Sequence, residues 1–291
     1  MLKKLFHKGH RLMGRTKPAH AQPAFLPSDT EPRVFRVMTY NIHHGRGTDR
    51  RYDLGRIAKV IAHENPDVVA LQEVERYRLR TGRIDQPGEL ARELEMDYAF
   101  SRVQDHRYTD NHHHAAYGNA ILTKFPLVAH EHFDISYNGA SEPRGCLHAT
   151  IEISGTRLHV FCVHLGLQYR ERNFQIGRLL SEDIVNHRKF GEGPRILLGD
   201  FNNWWPVQSA KAIQSHFHDA CVVTGKKKLR TFGQFFTFLC LDYVFTSPDL
   251  KVLSCMVSTQ RLARTASDHR PVVCEVRLPD ESPAKAQQAA P

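Results

Sequence analysis

Ile196-Leu197-Leu198-Gly199-Asp200-Phe201-Asn202-Asn203 runs from three aliphatic residues into a glycine, a carboxylate and two amides. The apolar run has the length and composition of a buried strand. Side chains at strand ends of a layered α/β fold project into a shared crevice, so chemistry is expected where this strand stops. Asp200 and Asn202 alternate, and both project to one side if the strand continues past Asp200. Judged alone, a polar turn closing a strand describes the segment equally well.

The same grammar recurs on both sides of it. Strands are expected over 36–41, 67–74, 120–123, 147–153, 158–164, 242–245 and 272–276. Helical spacing of Leu54, Ile57, Val60 and Ile61 predicts a helix over 54–64. Further helices are expected over 88–95 and over 171–185, where Ile176, Leu180 and Ile184 share a face. Many strands with a few interposed helices imply a layered α/β domain. Nothing of low complexity divides 34–279, so one domain is expected there, between a basic leader (1–33) and a frayed tail (280–291).

Several strands end on a polar residue. Asn41 lies in Tyr40-Asn41-Ile42-His43-His44-Gly45, and Glu73 closes the apolar run 67–74. A carboxylate there is costly to bury unless it is paired or bound to metal. His164 ends Phe161-Cys162-Val163-His164, Asp242 opens Asp242-Tyr243-Val244-Phe245, and Ser267-Asp268-His269-Arg270-Pro271 precedes the last strand. Each alone has an ordinary reading: a turn, a strand-edge acid, a hydrogen-bonded core histidine.

Taken in order, Asn41, Glu73, His164, Gly-Asp200-Phe-Asn202, Asp242 and Asp268-His269 resemble the signature of the endonuclease/exonuclease/phosphatase (DNase I-like) superfamily. Gly118-Asn119-Ala120-Ile121-Leu122, Glu142-Pro143-Arg144-Gly145 and Arg230-Thr231-Phe232 add to the match. The resemblance covers 34 to about 279 and implies a four-layer α/β/β/α sandwich, two mixed sheets face to face with helices outside. It implies that Glu73 and Asp268 bind Mg²⁺ or Mn²⁺ with Asn41 nearby, and that Asp200 orients or deprotonates the attacking water. Asn202 would hold a phosphate oxygen, and His269, oriented by Asp242, and His164 would stabilise the transition state or protonate the leaving group. One departure stands out: some members, notably abasic-site endonucleases, carry an acid two residues after the motif Asn, where this chain has His43.

The activity so implied is metal-dependent hydrolysis of a phosphate ester. Hard oxygen ligands suit Mg²⁺ and argue against zinc despite 19 histidines, none in a zinc-spaced cluster with cysteine. His112-His113-His114 reads as a polar loop. Arg144 is a candidate phosphate clamp, although an ion pair with a nearby acid explains it as well. Trp204, Trp205, Phe232, Phe235, Phe236 and Phe238 are candidates for contacting bases or acyl chains, with half or more expected to be core.

The net charge of +9 is concentrated in the leader, where residues 1–36 hold eight Lys or Arg against Asp29 and Glu31. A body near +3 and no long basic groove favour a phospholipid-like or small phosphodiester over duplex DNA. The leader and Lys226–Lys228 are expected to meet an anionic membrane surface or nucleic acid, if they bind anything. Two alternatives stay open: a nuclease on DNA or RNA, and a non-catalytic binding module on the same fold. Hydrophobic residues make up 41% of the chain, yet no apolar run nears the ~20 residues of a membrane span. Six cysteines without a CxxC pair, and no apolar core in the leader, predict a cytoplasmic monomer, peripheral to a membrane if it meets one.

Overall fold

The computed structural model describes residues 33–110, 113–190, 193–203, 212–226, 229–233 and 239–279. The leader up to residue 32, the tail from 280, His112, Trp204, Trp205, Lys227, Lys228, Phe235, Phe236 and Phe238 lie outside the described residues.

Two six-stranded mixed sheets face one another. The first has the order β11-β12-β1-β2-β4-β3 and the second β5-β6-β7-β8-β10-β9. In the first, β1 (Val34–Asn41) runs parallel to β2 (Val68–Arg76), with α1 (Leu54–Glu64) between them in sequence. Asp53 caps α1 by accepting from Arg56 N–H. In the second, β7 (Thr156–His164) runs parallel to β8 (Arg195–Asp200), with α3 (Tyr169–Leu179) between. The remaining strands pair antiparallel: β3 (Asp97–Asp110), β4 (His113–Thr123), β5 (Leu127–Asp134), β6 (Gly145–Ile153), β9 (His218–Asp219), β10 (Asp242–Thr246), β11 (Lys251–Val257) and β12 (Val272–Arg277).

The strand pattern explains the layers. Along β1, Val37 enters the core between the sheets while Met38 and Tyr40 face outward onto Ile57 and Ile61 of α1 and Leu90 of α2 (Gln86–Leu94). Along β7, Val160 and Cys162 enter the inter-sheet core while Phe161 and Val163 face Ile176 and Leu179 of α3. Strands covered on both faces must be apolar on both, which is why they read as continuous hydrophobic runs.

The predicted helix over 171–185 is shorter than expected. α3 stops at Leu179, because the Ser181 hydroxyl takes the Arg178 carbonyl (2.8 Å) and Asn186 takes that of Leu180 (2.6 Å). Such side chain–backbone bonds compete with helix continuation. Ile184 and Val185 still pack in the outer cluster. No helix among the described residues is long and apolar enough to cross a membrane.

Candidate active site

β1, β2, β7 and β8 all finish at one end of the sandwich, and the antiparallel β10 and β12 begin there. Register shows it directly: His164 and Asp242 both lie opposite Asp200, Asn41 lies opposite Gln72, and Val272 lies opposite Thr39. A parallel strand's C-terminus and an antiparallel neighbour's N-terminus meet at one edge, so residues far apart in sequence converge.

Asn41 joins the sheets. Its Nδ2 donates to Glu73 Oε1 and to Asp200 Oδ2, both at 3.0 Å, and its Oδ1 accepts from His43 N–H. Glu73 sits where the β2–β4 ladder slips between Leu71 and Val74, at φ +57°. That bulge turns its carboxylate out of the alternation. Asp200 is buried, and its Oδ2 also lies 3.5 Å from His164 Nε2 and 3.7 Å from His269 Nε2. His269 Nδ1 donates to Asp242 Oδ2 at 2.9 Å. Thr231 Oγ1 accepts from the Leu241 and Asp242 amides, and Phe232 packs its ring 4.8 Å from that of His269. Ser267 Oγ donates to the Asn41 carbonyl, which ties the Asp268–His269 turn to the end of β1. Asp268 Oδ1 lies 3.6 Å from His43 Nδ1.

Arg144 is almost fully buried; Nη2 pairs with Glu142 at 2.7 Å while Nη1 faces His164 Nδ1 at 3.4 Å. The ion pair and the site-facing position are thus both present. A guanidinium only donates, so His164 Nδ1 is the acceptor and its proton belongs on Nε2, toward Asp200.

Asn202 differs from expectation. β8 ends at Asp200, and Asn202 adopts φ +48°, so the two side chains do not alternate on a continuing strand. Its N–H returns to Asp200 Oδ1 (2.9 Å) and its Nδ2 donates to the Leu165 carbonyl (2.8 Å), holding the exit of β7 against that of β8. Asn tolerates the left-handed region that this turn needs.

A family model for the Endonuclease/Exonuclease/phosphatase family matches residues 38–269, from β1 to the Asp268–His269 pair. The chain belongs to that family. The uncharacterized protein YbhP of Escherichia coli (strain K12) is 32% identical over 267 residues, 87% of this chain and 100% of YbhP. The crystal structure of an endonuclease/exonuclease/phosphatase from Beutenbergia cavernae DSM 12333 superposes with a TM-score of 0.67 at 26% identity, over 85% of this chain and 72% of its own. A mannosyl-6-phosphatase of Bacteroides thetaiotaomicron VPI-5482 gives 0.66 at 25% identity, over 83% and 99%. Its family thus fixes the chain as a hydrolase on the same α/β sandwich.

The electrostatics of this family member's site divide its groups. Burial raises Asp200, with Asp242 adding to it and His269, Asn41 and the Asn202 amide opposing. Burial would lower His269, but Asp242 and Asp200 outweigh it and hold the imidazolium well above the ordinary histidine range. Burial, reinforced by the Arg144 charge, pushes His164 down to about 3, so it is neutral at pH 7. Burial would raise Glu73, yet the His44 ring beside it and the bond from Asn41 help to hold it below the usual carboxylate range. One charged and one neutral imidazole therefore flank a single carboxylate.

Sequence reasoning missed two groups. His44 brings Nδ1 to 3.6 Å from Glu73 Oε2, and Tyr117 lines a small pocket with Gly118, Asn119, Arg144 and His164. Tyr117 immediately precedes the Gly118–Leu122 run, and that adjacency was its only signal. The described residues hold two clusters with metal-ligand character: His43, His44 and Glu73, and Asp200, Asp242 and His269. The second is closed internally by the His269–Asp242 bond. The first, with Asp268 beside it, fits a divalent cation: among the described residues Glu73 has no Lys or Arg partner, and the buried His44 Nδ1 has no hydrogen-bond partner.

Proposed function

We propose that the chain is a divalent-metal-dependent phosphodiesterase. The observation that carries this reading is the convergence of Asn41, His164 and His269 on one oxygen of Asp200, with Asp242 behind His269. Asp200 is the group to take a proton from a water attacking phosphorus, since burial raises its basicity. Water oxygen then bonds to phosphorus, the opposite ester P–O bond breaks, and the departing oxygen takes a proton from solvent while Asp200 returns its proton to solvent. His269 as imidazolium, Arg144 and the His164 Nε2–H stabilise the negative charge on the phosphoryl oxygens. Asn41 keeps Asp200 aimed, and Asn202 fixes the turn that presents it. Glu73 and Asp268 would hold the cation, Mg²⁺ or Mn²⁺, which supplies further neutralisation of phosphoryl charge.

A phospholipid-like or small phosphodiester is the substrate class best supported. Leu167 and Tyr169, exposed by 62% and 44%, follow His164 within five residues. Exposed Phe174 stacks edge-on against Tyr137, on the segment leading to Arg144 (centroids 5.4 Å). Apolar side chains close in sequence to His164 and Arg144 would suit an acyl or other hydrophobic substituent. The basic leader, by charge alone, suits an anionic surface. Lys226, from the stretch best placed to hold a DNA backbone, instead donates to the Cys255 carbonyl.

A metal-supplemented panel tests the choice: phosphatidyl and sphingosyl diesters in vesicles, small aryl diesters, sugar phosphate monoesters, RNA and DNA. Diesters with an apolar substituent are expected to turn over at least ~10-fold faster than nucleic acid, about the discrimination one apolar contact provides. Faster cleavage of DNA or RNA, or of a sugar monoester, would replace this substrate class.

A further inference from the structure

The turn after β1 carries two adjacent histidines where a family site with oxygen ligands would need none. His43 and His44 sit at φ +45° and +46°, consecutive left-handed residues that only a determined environment sustains. The environment is present. Asn41 Oδ1 takes the His43 N–H (3.0 Å), Gln86 Nε2 donates to the His44 carbonyl (2.8 Å), and Gly45 N–H returns to Ile42 (2.8 Å). The result aims both rings at the carboxylates, with ring centroids 4.5 Å apart. His43 Nδ1 is 3.6 Å from Asp268 Oδ1, and His44 Nδ1 is 3.6 Å from Glu73 Oε2. His43, His44 and Glu73 each offer a donor atom within 4.8 Å of the others. Two donors at about 2.1 Å from one ion lie roughly 3–4 Å apart, so small side-chain rotations close the set. His44 is 6% exposed, and its Nδ1 has no hydrogen-bond partner among the described residues.

We propose that His43 and His44 are metal ligands, and that with Glu73 and Asp268 they form a mixed imidazole–carboxylate site selective for a first-row transition ion over Mg²⁺. The proposal rests on the metallohydrolase reading and sharpens it. Mg²⁺ prefers oxygen and keeps its waters, whereas imidazole nitrogen favours Mn²⁺ through Zn²⁺ increasingly along the series. His43 stands where an acid would serve a harder ion, so replacing carboxylate by imidazole changes the metal more than the reaction.

Binding of Mn²⁺ and of Mg²⁺ to the metal-stripped full chain, measured by titration calorimetry, tests this. Mn²⁺ is the transition ion least drawn to the remaining histidines of a chain with 19. Asn is the replacement of choice because it tolerates the left-handed backbone. His43→Asn and His44→Asn should each weaken Mn²⁺ binding about 10-fold or more while moving Mg²⁺ less than about 3-fold. Glu73→Gln should weaken both ions. An unchanged Mn²⁺/Mg²⁺ ratio in both histidine variants overturns the proposal, and leaves the hydrolase reading standing if Glu73→Gln still weakens both. Indifference of both ions to all three variants removes the metal role of the site altogether. Should His44→Asn fail to fold, the less buried ring of His43 lets His43→Asn decide.

Discussion

Asp200 is the residue on which the site depends. Its Oδ2 receives Asn41 and faces two imidazoles, so Asp200→Asn keeps the shape and removes the proposed base. Asp200→Asn and His269→Ala are each expected to cut diester turnover by roughly 10²–10⁴, in line with loss of a positioned acid or base. The melting temperature should change little; near-wild-type turnover in either variant would contradict the assignment. A second residue-scale prediction lies away from the site. His148 and His159 are buried against Phe190, with His148 Nε2 3.1 Å from His159 Nδ1. Burial pushes them down to about 3 and about 4. Unfolded imidazoles take up protons as pH falls below 6.5, while the folded pair stays neutral. Their contribution to stability is therefore complete above pH 6.5 and is lost as pH falls toward 4. Each histidine so protonated only in the unfolded chain costs about 1.4 kcal/mol per pH unit. Urea midpoints at pH 7 and pH 5 should diverge, and by less in His148→Phe; parallel shifts would show that the pair is not responsible.

At the scale of elements, the close β7–β8 pairing is what puts His164 across from Asp200. Gly199 makes this possible, since at φ +148° an added Cβ would stand 2.0 Å from the Val163 carbonyl oxygen. Gly199→Ala should destabilise the fold by about 3 kcal/mol or more, readable as a lowered urea midpoint, because strand backbone must separate to admit it. A midpoint within experimental scatter of wild type would mean the strands are not so tightly held. The interior strands were legible for a related reason. β1, β2, β4, β6, β7, β8, β10 and β12 are all covered by neighbours, and their apolar runs announced them. The strands not anticipated, β3, β5, β9 and β11, are the four sheet edges. β5 reads Leu127-Val128-Ala129-His130-Glu131-His132-Phe133-Asp134 and is exposed for most of its length, so burial imposed no pattern on it. Likewise Glu73 and Asp200 were visible because they interrupt or close apolar strands, and His269 because an Asp–His pair directly precedes one. His44 and Tyr117 were not, because a turn histidine and a strand tyrosine look ordinary until the partner carboxylate or arginine is placed beside them.

For the whole molecule, the site exists only because both sheets contribute to it. Asn41, Glu73 and Asp268 come from the first sheet and its loops, and His164, Asp200 and Asp242 from the second. Asn41 is a hydrogen-bonded crossing between them at the site itself. The inter-sheet core beneath, from Val37 and Ala70 to Cys162 and Leu198, fixes that spacing. On the proposed function, a cation held by the first sheet and a base held by the second must act on one phosphoryl group. Turnover of bis-p-nitrophenyl phosphate, measured after exhaustive chelation and again after adding Mg²⁺ or Mn²⁺, tests this most directly. Activity should fall to background on chelation and return with metal in the wild type, and fail to return in Glu73→Gln. Undiminished hydrolysis by the chelated enzyme would contradict the account.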